Sequence, residues 1–349
     1  MSKLSDFELK TMPGVWQWYD NSARKLAFKA QSRAEAESWQ QELRATMTQL
    51  LGKKRVGASD FDVHMIETVK EPGYTRELLV IQTQPGEYMP VYVLIPENVS
   101  SPYRPVIALH GHENWGGEGL VGIKQRENVA YHNDYGRQLA LHGFLVFAPV
   151  LRGFAQRLEA SLPPYEQLQS EPQRLTNSCK EVSLNLLLAG KTLLGLRVWD
   201  IMRLIDYIRT RPEPMTETLG CVGLSGGGTV TLFTTALESR IPCVVVSGYY
   251  NSFRASIMSI DHCPCNYVPG ILQYAEMADI AGLIAPRPLL VEAGERDPIF
   301  PVEATRQAIS ELRPIYSCFG AEQNLDADIF DGDHRWSGAK AYDWLDKWL

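Results

Sequence analysis

The sequence predicts an α/β fold, a mostly parallel central sheet with helices on both faces. Three observations carry that expectation. From "RPVIALHG" onward, short apolar runs alternate with helical segments. The runs are apolar almost throughout, not at every second position, as strands covered on both faces read. Two irregular stretches, 151–190 and 250–283, each follow a strand, on the side where open α/β sheets bind ligands.

Residues 1–59 are expected to form a helical extension and 60–349 the main domain. "RAEAESWQQELRATMTQLLG" is rich in strong helix formers and closes on Gly52. Trp16, Trp18, Tyr19, Phe28 and Trp39 give the extension an apolar face. That face is expected to pack on the main domain or to meet a second copy in a homo-oligomer. In 60–96 the texture becomes "HMIETV", "RELLVIQT" and "MPVYVLIP", and the Pro-Gly turns between these runs predict antiparallel strands.

Alternation then begins. "RPVIALHG" reads as a strand, "NDYGRQLALHG" as a helix and "FLVFAPV" as a strand. "KTLLGLRVWDIMRLIDYIRTRP" is a long amphipathic helix, "LGCVGLS" a strand and "GGTVTLFTTALES" a helix. The strands "IPCVVVSGY" and "RPLLVEAG", the helix "VEATRQAISELRPIY", the strand "NLDADIF" and the helix "GAKAYDWLDKWL" complete the order. The stretches 151–190 and 250–283 are expected to form pocket walls.

The chain has 349 residues, 45% of them hydrophobic, and a net charge of -7. That charge argues against nucleic acid or an anionic membrane as partner. No apolar run reaches the ~18–20 residues of a membrane span. Asp6 and Glu8 stand where a secretory signal would be apolar, so a cytoplasmic location with six reduced cysteines is expected. Cys221 and Cys243 lie in strand-like runs and read as buried hydrophobes. In "DHCPCNY", His262, Cys263 and Cys265 invite a metal, but a zinc site wants four ligands and no second Cys/His pair lies nearby in sequence. A packed loop turned by Pro264, with no metal, is the expectation.

The stretch "CVGLSGGGTV" carries the chemistry. A phosphate loop would need Lys-Ser/Thr after its last glycine, and Thr229 and Val230 follow instead. Thr231 stands where a dinucleotide loop needs glycine. The remaining pattern is G-x-S-x-G over Gly223, Ser225 and Gly227, set between a strand and a helix, as a nucleophile elbow requires. A nucleophilic serine needs a base and an orienting acid, in the order Ser, Asp/Glu, His for this topology. Asp297 follows "VEAG", and His334 follows the last strand. Glu295, Asp331 and Asp333 are the rival acids; the latter two are too close to His334 on one turn to reach its far nitrogen. Gly226 and His112 are the expected backbone donors of an oxyanion hole. His110 and the His112 side chain are expected to orient their loop. Trp115 is a candidate lining residue for the acyl pocket.

"RPVIALHGH", "GFLVFAPVLRGFAQR", "GLRVWDIMRLIDYI", "CVGLSGGGTVTLFTTALESRI", "HCPCNYVPG", "LIAPRPLLVEAG" and "DGDHRW" resemble bacterial α/β-hydrolases of the acetyl xylan esterase and dienelactone-hydrolase-like group. The resemblance covers about residues 60–349. It implies an α/β-hydrolase fold and hydrolysis of small carboxylic esters through an acyl-enzyme, without a cofactor. It also implies Ser225, Asp297 and His334 as triad and His112 with Gly226 as oxyanion donors. The chain has Arg152-Gly153-Phe154 where the related cephalosporin-C deacetylases carry Arg-Gly-Gln. A peptidase or amidase with the same triad, and a non-catalytic binding protein on the same fold, are the alternative readings.

Overall fold

Nine strands form one mixed sheet: β1 (His64–Glu71), β2 (Tyr74–Gln84), β3 (Glu87–Pro96), β4 (Pro105–Leu109), β5 (Leu145–Pro149), β6 (Gly220–Leu224), β7 (Cys243–Ser247), β8 (Leu289–Gly294) and β9 (Leu325–Phe330). Their spatial order is β1-β2-β3-β5-β4-β6-β7-β8-β9. β1, β2, β3 and β5 pair antiparallel in succession, and every pairing from β5 to β9 is parallel. This computed structural model describes residues 7–52, 60–113, 115–123, 131–159 and 177–349. The expected wall at 151–190 therefore lies partly outside the described residues, as does the boundary expected at 59.

The continuous apolar strands are explained by burial on both sides. In β4, Ile107 and Leu109 join one buried cluster, whereas Val106 and Ala108 join another. In β7, Val244 and Val246 divide from Cys243 and Val245 in the same way. Successive side chains of a strand point to opposite faces, so each cluster is one face of the sheet. The antiparallel strands turn at Gly73 and Gly86, both at positive φ, as the Pro-Gly pairs predict.

The helices are α1 (Met12–Asn21), α2 (Arg33–Leu50), α3 (Gly117–Leu120), α4 (Tyr135–Leu141), α5 (Cys179–Leu188), α6 (Leu193–Ile208), α7 (Gly226–Leu237), α8 (Met277–Gly282), α9 (Val302–Cys318) and α10 (Ala341–Trp348). Ser32 caps α2 by accepting from the Glu35 N–H, and Glu35 reaches back to the Gln31 N–H. The inner face of α2 buries Ala36, Leu43 and Met47. Its Gln40 amide donates to the carbonyls of Gly282 and Ala285, so this N-terminal helix is tied to the end of α8. Among the described residues no single helix is long and apolar enough to cross a membrane.

Candidate active site

Parallel strands share one direction, so the loops after β4, β6, β8 and β9 leave the same edge of the sheet. Those loops carry His112, Ser225, Asp297 and His334. Ser225 joins β6 to α7 and holds φ 56°, ψ -118°, a strained conformation for a residue with a Cβ. Two glycines make the turn possible. A Cβ on Gly227 would lie 1.8 Å from the Leu109 carbonyl oxygen, and one on Gly223 would lie 2.4 Å from the Gly227 carbonyl oxygen. The Ser225 N–H donates to the Ser247 carbonyl at 2.9 Å, which pins the turn to β7. Gly226 opens α7, so its N–H belongs to the first turn, which has no intrahelical acceptor.

Asp297 and His334 meet across the ends of β8 and β9, with His334 Nδ1 2.6 Å from Asp297 Oδ2. The other carboxylate oxygen accepts the N–H groups of Ile299 and Phe300 at 2.8 and 3.0 Å. Both oxygens are thereby committed, and the carboxylate cannot swing. Phe300 stacks on the His334 ring at 5.6 Å and Tyr131 lies at 5.7 Å from it. In the neutral imidazole an Nδ1–H donated to the carboxylate leaves the lone pair on Nε2. Nε2 is buried and has no hydrogen-bond partner among the described residues. Gly248, beside Ser225's acceptor Ser247, approaches the same ring; a Cβ there would lie 3.2 Å from His334 Cε1.

The rival acids turn elsewhere. Glu295 faces Arg306 at 3.5 Å, Asp331 pairs with Arg296, and Asp333 lies 3.9 Å from Arg335.

The loop after β4 is held by its histidines. His110 is fully buried, with Nδ1 2.9 Å from the Gly111 carbonyl and Nε2 accepting the Leu151 N–H at 3.0 Å. Burial drives its pKa down to about 3, so it stays neutral and orients the loop. His132 Nε2 accepts the Gly111 N–H, and its Nδ1 faces the buried Glu113 at 2.9 Å. Phe154 sets its ring against both His110 and His112 at 5.2 Å. Trp115 stands half-buried at the entry to α3, where its carbonyl accepts the Glu118 N–H.

Arg152 serves a structural cluster. It forks onto the buried Asp200 at 2.8 and 2.7 Å, and Arg157 joins the same carboxylate at 2.8 Å.

The cysteine loop gathers donors from segments distant in sequence. Pro264 does begin a single turn (Pro264–Asn266), but Cys263 and Cys265 do not stand without further donors. Cys179 from α5 and His112 join them, whereas His262 turns away to Asn266. These partners were invisible because Cys179 is 84 residues before Cys263 and carries no local signal of its own. The glutamate–histidine pair Glu113–His132 likewise joins residues with no shared motif.

Comparison with known proteins agrees with this architecture. The chain is 26% identical over 248 residues to "Putative hydrolase YtaP" of Bacillus subtilis, covering 70% of this chain and 77% of that protein. A "putative acetyl xylan esterase" from Bacteroides fragilis superposes with a TM-score of 0.73 at 19% identity, over 95% of this chain and 84% of that one. A glucuronoyl esterase from Solibacter usitatus gives 0.65 at 15% identity, over 89% and 92%. These likenesses carry the α/β-hydrolase fold. Residues 5–314 match the abhydrolase family, and the chain belongs to it.

Proposed function

We propose that this protein is a serine hydrolase of small carboxylic esters, acting through an acyl-enzyme. The observation that carries the reading is the buried Asp297–His334 pair, whose free Nε2 belongs to the same strand-end cluster as a serine held at positive φ. Ser225 Oγ attacks the ester carbonyl while His334 Nε2 takes its proton. His334 then returns that proton to the departing alcohol, and water repeats the sequence on the acyl-enzyme. Asp297 keeps the imidazole in the Nδ1–H tautomer and stabilises the imidazolium. The Gly226 and His112 N–H groups stabilise the oxyanion, and the N-terminus of α7 adds its positive end.

The esterase names of the structural relatives support the ester in this reading, and the short acyl group rests on the expectation that 250–283 and Trp115 wall a small pocket. Hydrolysis of p-nitrophenyl acetate, butyrate and octanoate by the purified protein tests it. Turnover is expected with a preference for acetate or butyrate. No turnover of any of the three overturns the esterase reading, and a preference for octanoate overturns the short acyl pocket.

A further inference from the structure

His112, Cys179, Cys263 and Cys265 converge from three parts of the chain: the loop after β4, the first residue of α5 and the turn between β7 and α8. Their donor atoms all lie within 4.8 Å of one another. His112 Nε2 is 3.2 Å from Cys265 Sγ, and the sulfurs of Cys263 and Cys265 are 3.1 Å apart. None of these cysteines is in a disulfide. Zinc held tetrahedrally, at about 2.3 Å from sulfur and about 2.0–2.1 Å from nitrogen, keeps its donors about 3.5–3.8 Å apart. The two closest contacts are shorter than that range and the whole set lies within 4.8 Å, so small side-chain shifts reach it, and three sulfurs with one imidazole are a donor set that zinc favours.

A second observation is independent of the spacing. Arg197 of α6 is buried, donates to the Arg152 carbonyl at 2.6 and 3.2 Å, and points Nη2 at Cys179 Sγ, 3.1 Å away. Among the described residues it pairs with no carboxylate. A buried guanidinium needs compensating negative charge. Neutral thiols supply none. Three thiolates and a neutral imidazole around a divalent ion carry a net charge of −1, which Arg197 cancels while donating to a ligating sulfur.

We propose that His112, Cys179, Cys263 and Cys265 bind one zinc ion that locks the His112 loop against the nucleophile helix. Binding releases three thiol protons and leaves no open coordination position, so the ion is structural. The imidazole that reaches the sulfurs through Nε2 has its opposite edge against Gly226, where a Cβ would lie 2.5 Å from Nδ1. The same cysteine turn reaches α7 directly, because Asn266 accepts from the Thr229 hydroxyl at 2.7 Å.

Elemental analysis of the whole protein, purified without chelator from zinc-supplemented cells, tests the site. About one zinc per chain is expected. Cys263→Ser and Cys265→Ser should drop it at least ten-fold, whereas Cys318→Ser, outside the cluster, should leave it unchanged. Because a ligand variant can fail to fold, wild-type protein stripped of zinc is also titrated with cobalt(II). An absorption spectrum of tetrahedral, thiolate-bound cobalt at one equivalent is expected. Purified protein without zinc that takes up no cobalt, or folded Cys263→Ser and Cys265→Ser proteins that keep their zinc, would overturn the proposal.

Discussion

The Asp297 carboxylate and the His334 imidazole lie 2.6 Å apart although they leave the sheet from different strands, β8 and β9. Parallel pairing of those strands, from Leu289 opposite Leu325 to Gly294 opposite Phe330, brings their ends together. Asp297→Asn should therefore cost about 10⁴ in kcat, the loss that follows when the imidazole is held in the wrong tautomer. Asp333 is exposed and faces Arg335. Asp333→Asn should cost about ten-fold or less through altered charge near the ring. Steady-state kinetics of both variants on one chromogenic ester decide between the acids, and the reverse ranking would assign the role to Asp333.

Two adjacent glycines should fail in different ways. A Cβ on Gly226 meets only the His112 ring, at 2.5 Å from Nδ1 and 2.7 Å from Cε1, so the strain falls on that side chain and its contact with Cys265 rather than on the sheet. Gly226→Ala should fold, yet displace His112 and lower kcat by about 10²–10³, the scale of losing an oxyanion donor. A Cβ on Gly227 meets the backbone of β4 at 1.8 Å, and that cannot yield locally. Gly227→Ala should give little folded protein. Thermal melts alongside kinetics separate the two effects; a fully active Gly226→Ala enzyme would remove His112 from the oxyanion site.

Glu292, buried in β8, offers a test by pH. Burial raises its pKa from 4.5 to about 7, and one oxygen accepts the Gly338 N–H at 3.0 Å. The folded state thus binds a proton more tightly than the unfolded state. Its contribution to stability is full below about pH 4.5 and is lost as pH rises through about 7. The loss is roughly 3 kcal/mol at most, at about 1.4 kcal/mol per pH unit. Urea unfolding at pH 5 and pH 8 should show a smaller drop for Glu292→Gln than for the wild type. Equal drops would mean that Glu292 ionises normally.

Burial on both faces made β4–β9 legible, because a strand with two covered sides has no polar alternation to confuse it. Ser225 was legible because only small neighbours permit its turn, and the glycines record that need in the sequence. Asp331 and Asp333 could be set aside from the sequence because they share a tight turn with His334. Glu295 leaves the same strand end as Asp297, and only the resemblance to the esterase group chose between those two. The structure sets Asp297 2.6 Å from His334 and Glu295 3.5 Å from Arg306. What stayed hidden were contacts between distant segments. Cys179 reads as an isolated cysteine, and Arg197 as one polar position on an amphipathic helix. Only the packing of α5 and α6 beneath the cysteine turn brings them to Cys263, Cys265 and His112.

The proposed mechanism needs Ser225 as nucleophile, and covalent labelling tests that most directly. Wild-type protein is treated with a fluorophosphonate, digested and sequenced by mass spectrometry, with Ser225→Ala assayed in parallel. A single adduct on Ser225 is expected, together with a loss of kcat of up to about a million-fold in Ser225→Ala. An adduct on another serine, with Ser225→Ala still active, would contradict the mechanism.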